Sequence, residues 1–150
     1  MYKAILVGID GSATANAALR RAAKLAGTTG AELHVVCAYQ TASLAALAPG
    51  GGVDVGGAGS DRLLDSLRSA AEEALGAAVK ELGVDGIKVQ THAIEGEATD
   101  VIIDSADALG CDLIVIGSRG MRGGKRFLLG SVPNSVAHHA DRDVLIIHTT

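Results

Sequence analysis

The sequence predicts an α/β fold in which helices cover both faces of a parallel β-sheet. Three observations lead to this prediction. Short, β-branched apolar runs recur along the chain, and such runs are typical of strands buried on both faces. The segments between them repeat alanine and leucine at helical spacing. Strands and helices therefore alternate, which favours right-handed crossovers between parallel strands.

The length of 150 residues suits one domain with a substantial core, and we expect residues 1–150 to form a single domain. Because aromatic residues make up only 2% of the chain, alanine, valine, isoleucine and leucine must build that core.

The chain begins with a predicted strand over residues 3–9 and a turn at 10–12. Ser12 is a suitable N-cap for a helix that ends near residues 27–30. Asp10 lies at the carboxyl end of this strand, where open α/β sheets bind ligands. Its carboxylate can accept hydrogen bonds from ribose hydroxyls or can simply shape the turn. The local sequence leaves both roles open.

A second strand is predicted over residues 32–39, with His34 as a hydrogen-bonded structural residue. Residues 41–60 are rich in alanine and glycine and predict a long flexible insert, for which an ordered lid and a disordered segment are both open. A long helix follows from Asp61, with Ser60 as its candidate cap, and ends at Gly83.

The remaining elements alternate in the same way. Residues 86–93 predict a third strand, after which Gly96-Glu97 begins a helix with Glu97 in its first turn. Residues 113–116 form a buried apolar strand that stops at Gly117. A helix then runs from Gly130-Ser131 to about His139, and the last strand is predicted over 144–148.

The loop between Gly117 and Gly130 is the segment most suited to binding a ligand. It carries glycines at 117, 120, 123 and 124 and the bases Arg119, Arg122, Lys125 and Arg126. Glycines let backbone N–H groups approach a phosphate, and a helix N-terminus adds unpaired donors and a positive dipole. An ordinary soluble loop is the alternative, but α/β connections are usually shorter, about 2–6 residues. The pattern therefore favours an anion site.

Composition excludes several classes of protein. The formal charge of −4 argues against nucleic-acid binding, and a basic loop on an acidic body suits a small anion. Cys37 and Cys111 lack metal-ligand spacing and are predicted to be buried, unpaired thiols. No signal-peptide pattern or membrane-length apolar run is present. We therefore expect a cytoplasmic protein with no metal site of its own and no membrane partner.

Catalytic and nucleotide motifs of other classes do not fit. Gly124-Lys125-Arg126 lacks the hydroxyl of a Walker loop, and Gly8-Ile9-Asp10-Gly11 is not a dinucleotide fingerprint. A receiver domain would need a second acid after the first strand and an aspartate ending the third. No serine or cysteine lies in a nucleophile elbow with a base. A binding or signalling module is favoured over an enzyme.

The sequence resembles the universal stress protein family. The resemblance is carried by Gly117-x-x-Gly120, nine residues and Gly130-Ser131, together with Val7–Ser12, Asp112–Gly117 and the closing run Asp143–Ile147. It implies a Rossmann-like, five-stranded parallel sheet of order 3-2-1-4-5, similar to that of the adenine nucleotide alpha hydrolases. It also implies a homodimer formed by antiparallel pairing of the last strand, 144–148.

The resemblance further implies an adenine-nucleotide site. Asp10 and Gly117 would face the ribose, Ala38 and Tyr39 the base, and Gly120, Gly130, Ser131 and Val132 the phosphates, with Ser12 nearby. The backbone of Gly8, Ile9, Gly96 and Ile116 would border the ligand, and Arg119 and Arg122 would supply charge to a phosphate tail.

The identity of the nucleotide stays open between ATP, with Mg²⁺ possible, and cyclic AMP. The family often has a hydroxyl residue where this chain has Pro133, and Leu129–Pro133 resembles a subgroup that binds cyclic AMP. We expect a stress or signalling protein that binds its nucleotide without efficient turnover; the alternative is a slow ATPase.

Overall fold

A computed structural model describes residues 1–41, 58–119 and 129–148 of the chain. The strands in these ranges are β1 (Ala4–Gly8), β2 (Glu32–Tyr39), β3 (Val89–Glu95), β4 (Leu113–Gly117) and β5 (Asp143–Ile147). The helices are α1 (Ala13–Thr29), α2 (Ala58–Leu82), α3 (Ala98–Ala108) and α4 (Ser131–His139).

All strand pairs are parallel, and the sheet has the order β3-β2-β1-β4-β5. The predicted fold class and strand order are therefore confirmed. β1 lies in the centre, and the order reverses between β1 and β4. Their carboxyl ends form the crevice at which doubly wound sheets of this kind bind ligands.

Alternate residues of each strand build two cores. Ile5 and Val7 of β1 face α1 and α2, together with Leu33, Val35 and Val115 of the neighbouring strands. Leu6 points the other way, into a core with α3 and α4. Burial on both faces explains why the central strands read as continuous apolar runs in the sequence.

Several predicted boundaries are wrong by a few residues. α2 begins at Ala58, so Ser60 lies inside the helix and is not its cap. β3 starts at Val89 rather than 86, because Gly86 has a φ of 87° that a strand does not contain. Glu97 is the N-cap of α3, accepting hydrogen bonds from Thr99 and Asp100, rather than a first-turn residue.

β5 starts one residue before the predicted strand and ends one residue earlier, at Ile147. Of the predicted insert over 41–60, residues 42–57 lie outside the described residues, whereas 58–60 belong to α2 and are not part of a flexible insert. Cys37 and Cys111 are buried and unpaired, as predicted. No helix in the described ranges is long and apolar enough to cross a membrane.

One arginine holds the end of α3 against the start of β5. The guanidinium of Arg142 donates to the carbonyl oxygens of Ala106 at 2.9 Å and Cys111 at 2.7 Å. It also forms ion pairs with Asp107 and Asp141. The Ala106 carbonyl also accepts from the Cys111 N–H at 2.9 Å, so Arg142 adds a second donor there and ties the residues after α3 to the start of β5.

Candidate functional site

The crevice between β1 and β4 brings together two helix N-termini. The chain leaves β1 through residues 9–12 into α1, and it leaves β4 through 118–119 towards α4. Because α1 and α4 lie on opposite faces of the sheet, their N-termini flank the same pair of strand ends. The positive ends of two helix dipoles therefore lie at this edge.

The turn after β1 is fixed by its own polar groups. A carboxylate oxygen of Asp10 accepts a hydrogen bond from the Ser12 N–H at 2.9 Å. Ser12 in turn caps α1, because its hydroxyl accepts from the Ala15 N–H at 3.1 Å. The predicted cap is confirmed, and Asp10 does shape the turn. Its side chain is also exposed at the strand ends, so a second, ligand-binding role is compatible with the structure.

The residues before this turn position the backbone rather than present side chains. Ile9 is buried, and its N–H donates to the Val36 carbonyl at 2.9 Å. A Cβ on Gly8 would lie 2.9 Å from the Cδ1 atom of Ile102, so the end of β1 packs closely on α3. Glycine at this position therefore sets the distance between strand and helix.

Gly117, at the end of β4, is required for close packing against α1. A Cβ there would lie 2.7 Å from Cγ2 of Thr14 and 3.0 Å from the Thr14 backbone. Real Cβ atoms do not approach other atoms so closely, so the first turn of α1 rests on the bare glycine backbone. Ile116, just before it, is buried in the opposite core.

Ser118 connects the end of β4 to the start of α4. Its N–H donates to the Ile147 carbonyl at 2.9 Å, and its carbonyl accepts from the Gly130 N–H at 2.8 Å. Only 3% of the residue is exposed. These bonds bring residues 118 and 130 together at the base of the segment between them. Ser118 was missed in the sequence because nothing local distinguishes it from an ordinary loop serine.

The predicted loop residues have different outcomes. Arg119 is half-buried beside Gly130, whose added Cβ would lie 3.6 Å from the Arg119 Cα. Gly120 and Arg122 lie outside the described residues, as do the bases Lys125 and Arg126. The part of the anion site predicted on them stays a prediction.

The N-terminus of α4 differs from those of α1 and α3. Ser12 and Glu97 cap those two helices with side-chain oxygens, whereas the cap residue of α4 is Gly130, which has no side chain to bond the first turn. Ser131 is exposed and Val132 half-buried. Since Pro133 has no N–H, the backbone donors of residues 131 and 132 are the ones this helix end offers to a ligand.

The ends of β2 and β3 are joined to each other at the same edge. The Tyr39 carbonyl accepts from the Gly96 N–H at 2.9 Å, so that donor is already used by the protein. The Tyr39 side chain is buried, and its hydroxyl accepts from Nε of Arg68 at 2.8 Å. Ala38 is half-buried and packs on the α3 side of the sheet. Arg68, which belongs to α2, was not among the predicted residues.

The Asp10 carboxylate also affects the neighbouring strand. Burial raises the pKa of the Cys37 thiol, and the negative charge of Asp10 raises it further. This effect places the Asp10 charge within electrostatic range of the end of β2. In the described residues no group of three or more His, Cys, Asp or Glu side chains is arranged to hold a metal ion.

Fold and crevice together define a doubly wound α/β protein whose strand order reverses between β1 and β4. The family model described as the universal stress protein family matches residues 1–148. The universal stress protein Rv1636 of Mycobacterium tuberculosis is 35% identical over 153 residues, covering 99% of this chain and 98% of the relative. The chain belongs to the universal stress protein family.

Solved structures agree with this assignment. The hypothetical protein MJ0577 superposes with a TM-score of 0.84 at 26% identity, covering 100% of this chain and 98% of that one. A universal stress protein in complex with cAMP superposes with a TM-score of 0.63 at 27% identity, covering 99% of this chain and 98% of that one. The Archaeoglobus fulgidus universal stress protein in complex with dAMP superposes with a TM-score of 0.64 at 27% identity, covering 97% of this chain and 98% of that one.

Proposed function

We propose that this chain is a stress or signalling protein that binds a compact adenine nucleotide between the carboxyl ends of β1 and β4. The observation that carries the proposal is the N-terminus of α4, which presents the backbone donors of Ser131 and Val132 without a side-chain cap among the described residues. A phosphate accepts from such donors and is stabilised by the helix dipole. Structures of similar proteins in complex with cAMP and with dAMP support an adenine base as the other half of the ligand.

The ligand is ATP or cyclic AMP. A single cyclic phosphate needs few donors, which suits a helix end where Pro133 removes one N–H. ATP would need further charge from Arg119, Arg122 and the rest of the basic loop, and Mg²⁺ would enter bound to its phosphates. The ribose of either ligand would lie beside Asp10 and Gly117, and the base beside Ala38 and Tyr39, with Gly96 bordering the pocket.

Binding proceeds without efficient turnover in this proposal. Hydrolysis requires an activated water as well as phosphate donors. One oxygen of Asp10 accepts a hydrogen bond from the Ser12 backbone, which suits a structural and ribose-binding carboxylate better than a general base. A slow ATPase is the alternative, and it would show a single-turnover rate with labelled ATP that depends on Asp10.

The direct test is mass spectrometry of the nucleotides released when the purified protein is denatured, followed by calorimetric titration with ATP and cyclic AMP. Gly130→Val should weaken binding at least tenfold, because a Cβ there already lies 3.3 Å from the Ser118 carbonyl oxygen. The same result is expected for Gly120→Val. Gly76→Val adds an identical side chain to open space on α2 and should leave affinity unchanged.

Two results would contradict the proposal. One is a wild-type protein that releases no nucleotide and binds neither ATP nor cyclic AMP. The other is a Gly130→Val variant that binds as tightly as wild type, which would move the site away from α4.

We also propose that the chain forms a homodimer through its last strand, 144–148. β5 is an edge strand, and its apolar residues are incompletely covered: Leu145 is 40% exposed, and Val144 and Ile146 are half-buried. An open apolar edge is a template for pairing with another chain. A second copy in antiparallel orientation would satisfy the edge and cover these side chains.

A further inference from the structure

Outside the nucleotide site, a group of interacting ionisable side chains lies on β2, on β3 and at the residue just before β3. Nδ1 of His34 is 3.1 Å from Nε2 of His92, and the ring centres are 5.3 Å apart. Nε2 of His34 is 3.9 Å from a carboxylate oxygen of Glu32, which also pairs with Lys88 at 3.0 Å. His34 is only 4% exposed, whereas His92 is half-buried.

The geometry of the two rings indicates a shared proton rather than a metal site. The ring-centre separation exceeds the N···N distance by about the two centre-to-nitrogen distances, so both nitrogens lie near the line joining the rings. Each lone pair therefore points at the other nitrogen. A metal ion would need both lone pairs to converge on a point beside that line, at about 2.0–2.1 Å from each nitrogen.

We propose that the His34–His92 pair is an acid-sensitive link that holds the edge strand β3 on the sheet. With both rings neutral, one facing nitrogen donates and the other accepts. One added proton keeps this bond, and the nearby Glu32 carboxylate accommodates the charge. A second proton places N–H groups on both facing nitrogens at hydrogen-bond distance, so the rings must separate.

The surrounding charges do not relieve this conflict. On this face β2 contributes Glu32, and Lys88, the residue just before β3, is engaged with Glu32. α3 also packs on this face; its carboxylates at 100, 104 and 107 are exposed, while α2 lies on the opposite face. Burial first, and the His34 charge second, lower the pKa of His92, and Glu32 offsets this only in part.

Because the pKa of His92 is lowered in the folded protein, acid favours opening of the pair. The unfolded chain takes up its histidine protons near the ordinary value of about 6.5, whereas the folded pair resists the second proton. Opening of β3 is therefore favoured as the pH falls below that value, by up to about tenfold per pH unit for one proton. Because the Gly96 N–H bonds the Tyr39 carbonyl, release of β3 also loosens the carboxyl edge of the sheet.

Hydrogen exchange read by mass spectrometry tests this link directly. Protection factors of residues 89–95, divided by those of 4–8 in β1, should fall between pH 7 and pH 5 in the wild-type protein. His92→Gln keeps an amide donor but cannot take a proton, and it should remove most of this fall. His138→Gln, an exposed histidine of α4, is the matched control and should keep it.

The proposal would be overturned if the protection of β3 fell equally with pH in the wild-type protein and in His92→Gln. It would also be overturned if β1 lost as much protection as β3. If His92→Gln does not fold, the wild-type protein still decides: imidazole ¹⁵N signals should show coupled titration of the pair, and two independent titrations near 6.5 would refute it. Zinc-dependent protection of β3 that is lost in His92→Gln would also refute it, by replacing the proton with a metal.

Discussion

Replacing Gly117 by alanine tests whether α1 and β4 pack as closely as the structure indicates. The added Cβ would lie 2.7 Å from Cγ2 of Thr14 and 3.0 Å from the Thr14 backbone. Inserting a methyl group into a packed site of this kind lowers the free energy of unfolding by about 1–3 kcal/mol. The backbone of Gly117 is not in the left-handed region, so the loss would come from the contact and not from φ/ψ strain.

Two further variants separate this contact from general effects of the substitution. Thr14→Ser removes Cγ2 but keeps the hydroxyl, so the double variant should recover part of the loss; the backbone contact at 3.0 Å should retain the rest. Gly76→Ala adds the same methyl group to open space within α2. It should stabilise the protein by about 0.5–1 kcal/mol, because glycine weakens a helix interior.

Urea unfolding followed by far-UV circular dichroism measures these differences, since the chain has no tryptophan to report by fluorescence. Unchanged m-values would show that the midpoints report stability. A Gly117→Ala variant as stable as wild type would refute the packing argument. So would a double variant that is less stable than Gly117→Ala alone.

Three other predictions follow from the same structure. Asp10→Ala should weaken nucleotide affinity by about 1.5–3 kcal/mol, the worth of a hydrogen bond to a charged group, without changing hydrolysis per bound nucleotide; titration calorimetry and single-turnover assays measure both. Ile146→Pro should yield a monomer by light scattering. The Ile147 carbonyl bonds β4, so the N–H of the neighbouring residue Ile146 points to the open edge, and proline removes it. A monomeric wild type at micromolar concentration would contradict the dimer. Arg142→Met should lower the unfolding free energy by about 1–3 kcal/mol in urea titrations, because the part-buried Cys111 carbonyl loses its Arg142 donor while the Ala106 carbonyl keeps the Cys111 N–H; wild-type stability would show that these bonds contribute nothing.

The sequence predicted the central part of the fold well because its signals are local. β2 runs over Glu32–Tyr39 as expected, and Ser12 caps α1, since an apolar run and a capping residue are each visible within a few residues. Strand order depends on long-range pairing and was available only through the family resemblance. β3 was misplaced because it is an edge strand with polar residues, where hydrophobic periodicity is weak.

The site was predicted less completely, because several of its contacts join residues far apart in the chain. Gly117 was expected to face the ribose, but the structure adds a separate reason for glycine, the contact with Thr14. Ser118 acts through backbone hydrogen bonds to Ile147 and Gly130, and the identity of its side chain does not predict these bonds. His92 lies next to His34 only in the register of β2 with β3, and a single sequence does not display that register.

The two edges of the sheet differ in a way that limits how large an assembly can grow. β5 presents apolar side chains at one edge, while β3 at the other carries exposed polar residues, among them Gln90, Thr91 and Glu95. Antiparallel pairing of two β5 strands about a two-fold axis would use both apolar edges at once and leave only β3 facing outward. Polar edge strands discourage further strand addition. Such an assembly would close at two subunits as a ten-stranded sheet whose two outer edges are both polar β3 strands, which disfavours growth into a fibre.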